Sequence, residues 1–138
     1  MTKLYAPESY WKYGREQLSM LVNGCGPEGW KRYFIPDNIL WISIKEACDI
    51  HDFMYIFGES EKDREEADRV FKYNMMRVVE GESRNVIMLW ARRRIALYYY
   101  NQVRNWGGTY FWQDKNPEKT FKNPKEVFSN ATLGATPG

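Results

Sequence analysis

A helix stop at Gly58, followed two residues later by a helix start at Ser60, forces the chain to reverse, and this reversal limits what the fold can be. Ser43 with Glu46 reads as a capping box opening the helix that ends at Gly58, and Ser60 with Asp63 opens the next. So short a connection makes these two helices antiparallel neighbours. The later one is expected to end near Gly81, and Ser83 starts a long helix that ends at Gly107 and Gly108. Ahead of them, Pro7 and Glu8 open a first helix reaching about Val22, with Tyr10, Gly14, Leu18 and Leu21 at helical spacing. No run alternates convincingly with the period of a strand, and no β-hairpin is evident. The expected class is therefore all-α.

A length of 138 residues fits one domain with one core. We place the helical domain at residues 1–108 and read 109–138 as an irregular tail, because prolines, glycines and scattered charge dominate there. With 20 Lys and Arg against 18 Asp and Glu, the total charge gives no reason to expect a nucleic-acid partner. No apolar run reaches the roughly 18 residues needed to cross a bilayer, so no transmembrane segment is expected. The start, MTKLYAPESYWKYG, lacks the apolar stretch of a signal peptide. That leaves an intracellular or virus-encoded protein, export by another route, or a mature fragment. Cys25 and Cys48 could form one disulfide, far short of a disulfide scaffold.

Helical spacing puts Cys48, His51, Asp52 and Tyr55 on one face of the helix before Gly58. That face carries the single histidine of the chain beside a carboxylate and a phenol, where a solvated face would show Lys and Glu. A satisfied structural His–Asp pair is the plainer reading of the same spacing. In the following helix, Ala67, Phe71, Met75 and Val78 set the buried side, and Asp68 lies on it. A buried carboxylate needs a partner. His51 and Asp68 lie at comparable distances from the turn and could meet, in which case the carboxylate would orient the imidazole as a base toward water. Otherwise Asp68 is a partly exposed helix acid reaching Arg64 or Lys72. Residues 23–30, NGCGPEGW, can offer successive backbone carbonyls to a hard cation such as calcium, with Asp52 supplying charge. Taken alone this stretch is a turn. Zinc on Cys25, Cys48 and His51 is the competing metal, but a second Cys or His cluster at zinc spacing is missing.

Taken together, Cys25-Gly26, then Cys48-Asp49-Ile50-His51-Asp52-Phe53-Met54-Tyr55, then Ala67-Asp68-Arg69-Val70-Phe71 resemble the phospholipase A2 superfamily over residues 20–75. The resemblance implies two antiparallel catalytic helices and a calcium-binding loop, flanked here by the N-terminal helix and the long C-terminal helix. It makes His51 the base that deprotonates water, Asp68 the residue that holds it, and Tyr55 the one that helps to fix Asp68. Asp52 would bind calcium, joined by the backbone carbonyls of Gly24, Gly26 and Glu28. The Gly26 N–H would help to stabilise the oxyanion, and Cys25–Cys48 would match the bridge joining loop to helix. Pro27 and Glu28 depart from the small residues usual in that loop, the animal enzymes' other disulfides are absent, and no counterpart of their β-hairpin is evident. Compact microbial forms are the nearer comparison.

The implied function is calcium-dependent hydrolysis of the sn-2 ester of a phospholipid at a membrane surface. The rival is a phospholipase A2-like module that binds lipid or protein without turnover, and a third reading is a purely structural interaction domain. The fourth helix, with Arg92, Arg93, Arg94 and Tyr98, Tyr99, Tyr100, is expected to cover the catalytic pair. A sharper expectation lets some of these, with Trp106 and Tyr110, Phe111 and Trp112, face lipid headgroups.

Overall fold

The computed structural model describes residues 3–13, 36–112 and 131–132. Among them the chain is mostly helical, with four helices and two small two-stranded sheets. The helices are α1 (Glu8–Lys12), α2 (Lys45–Phe57), α3 (Glu61–Glu82) and α4 (Val86–Phe111). α3 packs against both α2 and α4, so it is the middle layer. The reversal at Gly58–Ser60 is as expected, and the Ser60–Asp63 capping box is formed in both directions. A β-carbon on Gly58 would come within 2.7 Å of the Phe111 ring, so a bare backbone is what lets the end of α4 close over this turn.

Several boundaries differ from the sequence expectation. α1 ends at Lys12 because Tyr13 is already extended, and residues 14–35 lie outside the described set. The Ser43–Glu46 capping box does not form: Ile44 is the cap residue of α2, and the Glu46 carboxylate accepts from the Tyr10 hydroxyl at 3.2 Å. Ser43 is instead committed to a strand. α4 starts after Asn85, whose side chain accepts from the backbone N–H of Ile87 and Met88, while Ser83 ends α3. At its other end α4 continues through Gly107 and Gly108, since glycine permits a helix stop without imposing one, and Phe111 gains burial by staying helical.

A β-hairpin, not evident in the sequence, is formed by β2 (Asn38–Ile39) and β3 (Ile42–Ser43). Leu40 and Trp41 take φ of 42° and 71°, the left-handed turn that hairpins favour but that ordinarily calls for Asn-Gly. Two large side chains in those positions hide the turn from a reading of composition. Arg92 on α4 donates to the Leu40 carbonyl through Nε and Nη2, at 3.2 and 2.7 Å, and to the Ser83 hydroxyl through Nη1. The Tyr99 hydroxyl donates to the Asn38 carbonyl at 3.2 Å, so α4 holds the hairpin at two points.

The N-terminal segment is fastened to α3. Asn74, fully buried, accepts from the Tyr5 N–H at 2.7 Å and donates to the Tyr5 carbonyl at 2.8 Å, as a neighbouring strand would. β1 (Ala6–Pro7) pairs antiparallel with β4 (Ala131–Thr132), which brings this part of the sequence tail back to the helical domain. The core joins Leu4, Ala6 and Tyr10 to the inner faces of α2 and α3 and to Ala96, Val103 and Phe111 of α4.

Candidate active site

Cys48, His51, Asp52 and Tyr55 share one side of α2 and are all buried. Burial extends around the helix from Ala47 to Tyr55, because α3 covers one side and Tyr10 and Tyr13 pack edge-to-face with Phe53 at the other. The candidate face is therefore interior. Its polar groups survive there through partners.

His51 Nε2 lies 2.7 Å from Asp68 Oδ1, and the Tyr55 hydroxyl donates to the same oxygen at 2.6 Å. Asp68 has no solvent exposure. Two aromatic rings fix the imidazole plane: Phe71, one turn beyond Asp68, stacks on it with centroids 4.6 Å apart, and Tyr55 touches it at 4.2 Å. In a neutral ring that donates from Nε2 to the carboxylate, the basic lone pair belongs to Nδ1. Burial, and then the charge of Asp68, push the Tyr55 phenol well above its ordinary value of 10.0, so it keeps its proton and remains a donor.

Asp68 is the buried partner of His51 and not a partly exposed helix acid, although one contact expected of that alternative is present. It meets His51, and it also reaches Arg64 one turn away on its own helix, with Arg64 Nη1 at 3.6 Å from Oδ2. Lys72 does not share this role, its ammonium lying over the rings of Tyr100 and Tyr73. The nearest cation is one that local sequence patterns do not reveal: Arg104 of α4 donates from Nη1 to Asp68 Oδ2 at 2.7 Å. Four groups from three helices thus converge on one carboxylate. Glu61 draws the arginines together, accepting from Arg64 Nε at 2.9 and 3.0 Å and lying 3.7 Å from Arg104. Arg64 also donates to the backbone carbonyls of Val103 and Arg104 and so ties α3 to α4.

Asp52 follows His51 directly and is 2% exposed. Its neighbours on α2 are engaged elsewhere: Asp49 pairs with Lys45 at 3.0 Å and Glu46 with Tyr10. Gly24, Cys25, Gly26 and Glu28 lie outside the described residues. Among the described residues no group of three or more His, Cys, Asp or Glu side chains could hold a metal, so any ion at Asp52 needs oxygens beyond those side chains. Cys48 is buried and is not a free thiol.

The fourth-helix residues separate by direction. Arg92 is buried at the hairpin and Phe111 against Tyr55, Tyr99 and Tyr100 are half-buried against the core, and Trp106 is exposed. The outward face carries Val86, Ile87, Trp90, Leu97 and Tyr98, with the Arg94 guanidinium 5.4 Å above the Trp90 ring. Consecutive residues fan around a helix, which is why a run of three tyrosines cannot all face one way. No helix among the described residues is long and apolar enough to cross a membrane.

Comparison of the chain with protein-family models, with curated proteins and with solved structures finds no match.

Proposed function

We propose that the chain is a calcium-dependent hydrolase of the phospholipase A2 type, cleaving the sn-2 ester of glycerophospholipids. The observation that carries this reading is the buried contact of His51 Nε2 with Asp68 Oδ1, shared with Tyr55. A carboxylate on one imidazole nitrogen directs the other toward water, which is the arrangement a histidine base requires. As the water oxygen bonds to the ester carbonyl carbon, Nδ1 takes the water proton and Asp68 faces the imidazolium that forms. Collapse of the tetrahedral intermediate breaks the bond to the glycerol oxygen, and Nδ1 returns its proton to that oxygen. The products are a fatty acid and a lysophospholipid, and no serine or cysteine nucleophile is needed. Phe71 and Tyr55 hold the ring against rotation throughout.

Asp52 suits calcium in donor type, being a hard carboxylate oxygen one residue from the base, and the carbonyls of Gly24, Gly26 and Glu28 would complete the set. Calcium bound there would polarise the ester carbonyl. The Gly26 N–H would donate to the developing oxyanion. The outward face of α4, apolar and aromatic with Arg94 and without an acidic residue along Val86–Phe111, suits the headgroup layer of the substrate membrane.

The test uses phospholipid vesicles whose sn-2 acyl chain is labelled. Label appears as free fatty acid with millimolar calcium and not with chelator. Release from the sn-1 position, or release that ignores the chelator, overturns the proposal. Calcium and vesicle binding without release identifies a binding module instead.

A further inference from the structure

Arg104 stands outside the machinery named so far, yet it makes the shortest cationic contact to the carboxylate on which that machinery rests. An aspartate's carboxylate rotates in a broad, roughly two-fold torsional well, so its hydrogen bonds must set its plane. His51 and Tyr55 both engage Oδ1, and two bonds to one oxygen leave the carboxylate able to swing about it. A second fixed point on Oδ2 removes that freedom. Arg64 offers a weak one at 3.6 Å, with its guanidinium already engaged by Glu61 and the carbonyls of α4. Arg104 approaches Oδ2 to 2.7 Å from a third helix and brings a planar donor matched to a carboxylate.

We propose that Arg104 is a positioning residue that acts through Asp68: by holding Oδ2 it aims Oδ1 at His51 Nε2 and makes the docking of α4 a condition for an oriented base. A purely structural tie between α3 and α4 is a poorer account, because Arg64 already makes that tie through the carbonyls of Val103 and Arg104. The side chain of Arg104 is 25% exposed while its target is fully buried, so its charge reaches inward from the rim of the site. Glu61 lies on the same rim and steers it there.

The kinetic half of the test rests on the hydrolase reading, and the spectroscopic half does not. Because His51 is the single histidine of the chain, its ring N–H bonded to Asp68 gives one downfield proton resonance in the full-length protein. Arg104→Gln should shift that resonance upfield or broaden it away in a protein whose circular dichroism is unchanged. Arg104→Lys, which keeps the charge but loses the fork, should retain it in part and supplies the measurement if the glutamine variant does not fold. An unaltered resonance in either folded variant overturns the proposal, whether or not the wild type hydrolyses phospholipid. In turnover, Arg104→Gln should lower kcat about 100-fold at constant KM, the size of effect expected when a reacting group is misplaced by about an ångström. Added to Asp68→Asn it should cost nothing further. Losses that multiply show that Arg104 acts independently of Asp68. A raised KM at constant kcat shows that it binds the substrate phosphate, and either result overturns the assignment.

Discussion

The two ends of α4 each send a buried or half-buried arginine into a neighbouring element, and the two arginines do different physical jobs. Arg92 binds the neutral carbonyl of Leu40 and the Ser83 hydroxyl, holding a turn with two residues in the left-handed region. Arg104 binds the charged oxygen of Asp68, which no water reaches. Hydrogen bonds to a carbonyl stabilise a local conformation, whereas an ion pair in the interior stands between a carboxylate and a large desolvation cost. The hairpin end should therefore be tunable in stability alone. Changes at the Asp68 end should move stability and chemistry together.

The largest difference should come from Asp68→Ala, which leaves two arginines and a histidine around an emptied position. We expect a loss of about 3–5 kcal/mol in urea unfolding, the range for breaking a buried pair, together with loss of fatty-acid release. Arg92→Ala should cost about 1–3 kcal/mol by stranding the Leu40 carbonyl, with kcat for release from phospholipid unchanged. A fall in kcat matching that of the Asp68 end would erase the distinction between the two arginines.

Trp41→Gly sharpens the contrast from the opposite direction. Trp41 is 86% exposed at φ 71°, so its replacement surrenders little packing and relieves a left-handed strain of about 1–2 kcal/mol. A rise in thermal midpoint is expected, and a fall would show that the indole is held by something other than the turn. The smallest effect is alkaline. Burial raises Tyr55 at the site end and Tyr99 at the hairpin end above their ordinary value of 10.0. As pH rises past about 10, the unfolded chain releases these protons while the folded chain keeps them, so stability falls with pH. The contribution is fully present below that pH. Tyr55→Phe should reduce the drop in urea midpoint between pH 8 and pH 11, and an unchanged drop would contradict the burial of that phenol.

Much of this was legible in the sequence, for physical reasons that differ by residue. The α2–α3 reversal was readable because Gly58 and Ser60–Asp63 act locally, and Asp68 declared its burial by sharing a face with Phe71 and Met75. That His51 and Asp68 could meet was readable from their comparable distances from the turn along antiparallel helices. The hairpin was not readable, because Leu40 and Trp41 are held in their turn by Arg92, 52 positions away, rather than by their own preferences. Arg104 was invisible for the same reason: its partner is 36 positions away, and nothing local to α4 announces an inward-pointing guanidinium. Tertiary contacts override local signals most where an arginine can extend to an acceptor on another element.

The most direct test pairs the wild-type chain with His51→Gln, a change close in volume that removes the proposed base. Fatty-acid release from phospholipid vesicles in millimolar calcium is followed for both, with folding checked by circular dichroism. Release by the wild type is expected, with a rate lower by about 100- to 10,000-fold in the variant, the range that a positioned acid–base group contributes. Equal rates in the two proteins would contradict the role proposed for His51, because the chemistry would then lie somewhere other than the pair His51 forms with Asp68.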